Sequence, residues 1–249
     1  MKKLLGLLLV LGLGILLVSG CEQPLPSIPE STAADGVGEM SKLSVTIDNA
    51  IVQDVLSVLS ATSIRAFLPS TPEVGTDDWW HSSDSYTKDD KTHTRDFYFK
   101  IWDENGVLIT TKALLKNINF SNIGKLYSST TWAVASADSS YTVKLGTSKS
   151  DPLIFDGYNN TETLSGPVVY ESSFNDRSFV INLTYGNLTI SPSGYPSGTV
   201  GIRVTADSKT LYEATLLFDG SAIAELTFTL GGTGSYLINI YNGEVTPIT

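Results

Sequence analysis

The chain reads as a mainly β protein, an antiparallel meander within a sandwich or open barrel. A lipocalin-like closed barrel is the alternative, and one short helix precedes the strands. Three observations predict this. Apolar and polar residues alternate at period two through most of the C-terminal half. Short stretches of turn chemistry separate the alternating runs. Ser and Thr are abundant while Lys is sparse, a composition that suits the solvent faces of strands.

In chain order, residues 49–60 ("NAIVQDVLSVLS") are the helical candidate. Asp48 or Asn49 can cap it, and Ile51, Val52, Val55, Leu56, Val58 and Leu59 fall mostly on one face. From Asp96 the period becomes two. "FYFKIWDENGVLITT" predicts a hairpin with strands at 97–102 and 107–111 and a turn near Asn105-Gly106. Residues 112–126 read as irregular, and further strands are expected near 130–136, 141–146, 166–172 and 178–185.

The last fifty residues are the most regular. Val200, Ile202 and Val204 share one face; so do Tyr212, Ala214, Leu216 and Phe218; so do Ala224, Leu226, Phe228 and Leu230; so do Tyr236, Ile238 and Ile240. Asp207-Ser208-Lys209, Asp219-Gly220-Ser221 and Gly231-Gly232-Thr233-Gly234 lie between them. Such short loops imply antiparallel neighbours, and a one-sided apolar pattern implies a core on one side only. Residues 41–249 are expected to form a single all-β domain of about ten to twelve strands, with a subdomain boundary possible near 150–165.

The N-terminus has a different character. Met1-Lys2-Lys3 is followed by an apolar run from Leu4 to Val18 and then by Ser19-Gly20-Cys21. A basic head, an apolar middle and small residues at the end describe a secretory leader. The apolar run, about 15 residues, is short of the roughly 20 needed to cross a bilayer core. Val18-Ser19-Gly20-Cys21 resembles the lipobox of bacterial lipoproteins, and the resemblance covers residues 1–21. It implies that Cys21, the only cysteine in the chain, receives a diacylglyceryl group, and that residues 1–20 are removed. At least two acyl chains would then hold the protein stably on a membrane. Glu22, standing where such proteins carry a sorting residue, is not Asp, so the resemblance favours an outer membrane in a diderm host. Residues 21–40, with Pro24, Pro26, Pro29, Gly36 and Gly38 and no aromatic side chain, read as an extended tether.

The formal net charge is −10, and losing the leader would remove two lysines and no acid. Such a balance argues against nucleic acid and against adhesion to anionic lipid. The expected partners are the membrane, through lipid on Cys21, and a glycan or an envelope protein. No cofactor and no metal are expected.

The most unusual stretch after the leader is "GTDDWWHSSDSYTKDDKTHTRD", Gly75 to Asp96. Trp79, Trp80 and Tyr86, with His81 among them, are the candidate ligand platform, because exposed aromatic faces bind sugar rings or protein partners. His81 with Asp77, Asp78 and Asp84 lacks the spacing of a metal motif; Asp151, Asp156, Asn159 and Asn160 could supply oxygens to Ca²⁺, but a turn-rich acidic loop explains them equally well. No nucleophile elbow is present. The expected function is therefore a lipid-anchored, non-catalytic binding or structural module of the cell envelope. An apolar-ligand carrier and a hydrolase of envelope polymers are the alternatives; the first needs a sheet curved around a cavity and the second needs acids, or His81 with an acid and a Ser, converging in a cleft.

Overall fold

The computed structural model describes residues 71–249 except 89, 119–121, 159–161, 175–176, 191–194, 233, 241, 243 and 249. Cys21, the tether and the helical candidate at 49–60 lie outside the described residues. The elements are β1 (Glu73–Val74), β2 (Trp80–Lys88), β3 (Lys91–Asp103), helix α1 (Lys112–Asn117), β4 (Ile123–Ala135), β5 (Ser139–Leu145) and β6 (Leu153–Asp156). They continue with β7 (Glu162–Phe174), β8 (Arg177–Ile190), β9 (Pro196–Ala206), β10 (Lys209–Asp219), β11 (Ile223–Leu230), β12 (Ser235–Asn239) and β13 (Val245–Pro247).

The strands form one antiparallel sheet in which sequence neighbours pair almost throughout. Its edges, β1 and β13, do not pair with each other, so the sheet is an open meander and not a closed barrel. The period-two pattern explains how it buries a core. Tyr212, Ala214, Leu216 and Phe218 on β10 lie opposite Val204, Ile202, Val200 and Gly198 on β9; Ala214, Leu216 and Phe218 lie opposite Phe228, Leu226 and Ala224 on β11. The shared face continues through Tyr170 and Val168 on β7 to Phe97 and Trp80 on β3 and β2, and its buried members form one cluster. One face of a sheet this wide can converge on a single cluster only by coiling, which right-handed strand twist favours. We call that face inner and the opposite one outward.

One row of the sheet is broken. β5 pairs with β4 at Thr130–Ala135 and β6 pairs with β4 at Lys125–Ser128, and both also pair with β7. Together they occupy one strand position, from which residues 146–152 loop out. The sequence supports the break. Gly146 has φ of 81°, and a Cβ there would come within 2.3 Å of the Ser128 carbonyl oxygen. Pro167, which lacks an N–H, faces the gap on β7, where its carbonyl accepts from Gly146 N at 2.8 Å. Within residues 150–165, β6 joins β4 to β7 in the same sheet.

Three expectations change in detail. After the turn at Asn105-Gly106, the second hairpin strand contracts to a single bridge, Trp102 with Leu108. Residues 112–117 are helical instead of irregular, because Thr111 caps them by accepting from Leu114 N at 3.3 Å. This helix exists to close one end of the core, into which Leu115 and Ile118 insert. Most of the polar stretch from Gly75 to Asp96 is a β2–β3 hairpin in continuous register from Trp80 opposite Phe99 to Lys88 opposite Lys91.

Candidate functional site

The hairpin separates the four aromatic residues singled out in the sequence. Successive side chains on a strand point to opposite faces. Trp80 points inward and is fully buried; its Nε1 donates to the Ile109 carbonyl at 2.6 Å, and its ring stacks on Phe99. Tyr86 shares this face but lies six residues further along. Trp79, which precedes the strand, and His81 point outward. Trp79 is covered by Lys100 and Lys149, whose Nζ atoms lie 5.7 and 5.9 Å from its ring centre. His81 stacks on Tyr98 at 4.2 Å, and its Nε2 lies 2.7 Å from Asp96 Oδ1. The four therefore do not form one platform.

The outward cluster is held by the 146–152 loop. Leaving the sheet at the break, the loop places Lys149 2.9 Å from Asp77 Oδ2 and 4.5 Å from the Tyr98 ring centre. Lys149 holds the Asp77 carboxyl below the ordinary carboxylate range. Asp84, instead of joining His81, turns inward and grips the Arg95 guanidinium through two hydrogen bonds. This pairing raises the Arg95 pKa. The His81–Asp96 pair stands on an open face, with side chains 41% and 43% exposed.

The inner face changes character toward the β2–β3 turn. Tyr86 and His93, directly opposite, stack at 4.8 Å, and Arg95 lies over Tyr86 at 5.2 Å. Arg95 faces Trp132 on β4, His93 faces Val134, and Val134 faces Tyr141 on β5. Here aromatic and polar groups stand beside Val134 and Val143. Among the described residues four side-chain polar atoms are buried without a hydrogen-bond partner: His93 Nδ1, Trp132 Nε1, Tyr141 OH and, deeper in the core, Tyr185 OH. Leaving one such atom unpaired costs about 1–3 kcal/mol. Burial also pushes the phenols of Tyr141, Tyr170 and Tyr185 well above their ordinary pKa, and Tyr185 and Tyr141 lie near enough to Tyr170 to raise it further.

No protein-family model, curated protein or solved structure matches this chain. Function must therefore be argued from the side chains. Of the groups now clustered on the inner face, the aromatic signal in the sequence picked out Tyr86. It passed over Trp132, Tyr141 and Tyr185 because each sits in an ordinary-looking strand. Their parity was readable, but the register that joins them was not.

Other concave or acidic places are less developed. A cavity of about 150 Å³ lies between the Asp103–Val107 turn and α1, lined by Asp103, Asn105, Ile109, Leu114 and Ile118 among others. Typical small-molecule sites measure roughly 300–1,000 Å³. Among the described residues no three His, Cys, Asp or Glu side chains converge as metal ligands. Asp151 accepts from Thr147 Oγ1 within its own loop, and Asp156 lies 3.5 Å from Lys125 Nζ; Asn159 and Asn160 lie outside the described residues.

Proposed function

We propose that this protein is a lipid-anchored, non-catalytic binding module of the cell envelope, held on a membrane through Cys21 and favouring the outer membrane in a diderm host. We place its ligand on the polar-aromatic end of the inner face, around Tyr86, His93, Trp132 and Tyr141, and take the ligand to be a neutral glycan. The observation that carries this reading is the exposed Tyr86 ring, stacked on His93 with Arg95 over it, at the polar-aromatic end of the face. A sugar presents an apolar ring face that can rest on an exposed Tyr and hydroxyls that can bond to the polar groups beside it. The net charge of −10 favours a neutral polymer over an anionic one. An envelope protein is the other partner compatible with the same groups.

Two alternatives have less support. Leu183, Leu216, Leu226 and Ile238 are fully buried in the apolar part of the inner face, which leaves an apolar cargo no room there. A hydrolase would need acids gathered in a cleft, whereas Asp84 is tied to Arg95 and Asp96 to His81 on a flat surface.

Tryptophan emission of the chain from residue 22 onward should be followed against neutral and anionic cell-wall oligosaccharides. The reading expects a saturable change with neutral sugars that is lost in Trp132→Phe and kept in Trp79→Phe. Loss in Trp79→Phe alone would move the site to the outward cluster. A flat response to every sugar, with both variants folded, would transfer the site to a protein partner.

A further inference from the structure

The two edges of the sheet are finished differently. β13 has three residues, one of them Pro247, and the chain closes behind it when Ile248 N donates to the Ser235 carbonyl at 2.8 Å. Short length and proline are devices that prevent an edge from pairing with another chain. β2 has nine residues, but among the described residues only β1 pairs along its outer edge, at Trp80 and His81. Beyond that point β2 contains no proline, and its register with β3 has no bulge.

The direction of the free backbone groups follows from the hydrogen bonds around it. The Trp79 carbonyl accepts from Gly75 N, on the β1 side. The Ile101 carbonyl accepts from Ile109 N, so odd-numbered residues of β3 direct their amides toward β2. By antiparallel alternation, even-numbered residues of β2 bond to β3. Ser83, Ser85 and Thr87 therefore direct N–H and C=O away from the sheet, and all three are solvent-exposed, as are Tyr86 and Lys88.

We propose that this edge pairs with the same edge of a second copy, in an antiparallel two-fold register centred on Tyr86. The argument for a second copy is that the strand complements itself. Centred there, Ser85 faces Thr87 of the other copy in both directions, and these are the residues with outward amides. Asp84 faces Lys88 twice, so both charged pairs are of opposite sign, and Tyr86 meets its own symmetry mate. Opposite charges directly across strands are favourable, and a two-fold contact repeats each pair. The interface is narrow, so the association should be weak and dependent on concentration. Attachment of both copies to one membrane would raise their effective concentration.

Sedimentation velocity on the chain from residue 22 onward, over a wide concentration range, tests this. The expected result is a reversible monomer–dimer equilibrium. Ser85→Pro removes one outward N–H without touching the β2–β3 ladder and should leave only monomer. Lys88→Glu turns both attractive pairs repulsive and should weaken the dimer about tenfold or more. The register has its own readout. Tyr86→Cys places two cysteines about 4.5 Å apart between Cα atoms, within disulfide range, in a chain with no other thiol, and should crosslink on mild oxidation. Monomer at every concentration would overturn the proposal, as would a dimer insensitive to Ser85→Pro. A dimer that Ser85→Pro abolishes but Tyr86→Cys does not crosslink would overturn the register.

Discussion

Across β9–β12 the inner face carries Val200, Ile202, Val204, Tyr212, Ala214, Leu216, Phe218, Ala224, Leu226, Phe228 and Ile238, all buried. Across β2–β5, toward the hairpin tip, the same face carries Asp84, Tyr86, His93, Arg95, Trp132 and Tyr141, most of them only half-buried. Pairing is antiparallel in both regions. In the first, the face gains stability from apolar area removed from water, roughly 25 cal/mol per Å². In the second, it carries an ion pair, stacked rings and unpaired polar atoms, whose net contribution to stability is small or negative. One end of the sheet is thus organised as core and the other as a half-buried surface of charged, aromatic and polar groups. Four measurements would break or sharpen that contrast.

The largest effect is expected in the apolar region. Leu216→Ala, at a fully buried position, should cost about 2–5 kcal/mol in urea unfolding. Val143→Ala, half-buried on β5, should cost only about 1–2 kcal/mol. Equal costs would show that the two regions pack alike.

The next effect is on alkaline stability. Tyr141, Tyr170 and Tyr185 have raised pKa values in the folded protein, above the ordinary value of 10.0. Their neutral forms are favoured by folding, so this contribution is complete below pH 10. Above it the unfolded chain releases protons that the folded one retains. Each phenol should then remove about 1.4 kcal/mol of stability per pH unit. Urea midpoints between pH 8 and 11.5 should fall steeply past 10, and less steeply in Tyr185→Phe.

Third, two tryptophan substitutions should differ in sign. Trp80→Phe leaves the Ile109 carbonyl without its donor and should cost about 1–3 kcal/mol. Trp132→Phe removes a buried donor that has no acceptor and should be neutral or stabilising by up to about 1 kcal/mol. A destabilised Trp132→Phe would place a partner on Nε1 in the free protein.

The smallest effect concerns the outward strap. Lys149→Ala uncovers Trp79 and should shift its emission to longer wavelength with little change in unfolding midpoint, because surface ion pairs contribute little. The lowered pKa of Asp77 means that its pairing is fully present above about pH 3.8 and is lost as acid titrates the carboxylate below that value. The wild-type emission should make the same shift in that acid range.

The two regions also differ in how they could be read. In β9–β12, strict alternation and Gly- or Asp-containing turns define strand, face and neighbour without tertiary information, because each strand pairs with the next along the chain. In β2–β3, "HSSDSYTKDDKTHTRD" shows little apolar alternation, so composition suggested a loop bearing an aromatic platform. Pairing with β4 makes it a hairpin, and it sends Trp80 into the core and Trp79 beneath two lysines. At 107–111 and 112–126 the structure departs from the sequence pattern for a related reason. α1 is too short to show periodicity, and it is held by the contacts of Leu115 and Ile118 with the end of the sheet.

By itself the sequence determined the β class, the meander order of its C-terminal half, and the faces on which residues lie, because a strand's side-chain period is a local property of the backbone. Tertiary structure decided which parities meet across strands, where the β5–β6 row breaks, and that Tyr86, His93, Trp132 and Tyr141 share one surface. It also decided that, among the described residues, none pairs with the outer edge of Ser83–Lys88. Those outcomes depend on register and on coiling of the whole sheet, and both are set by the summed burial of residues far apart in the chain.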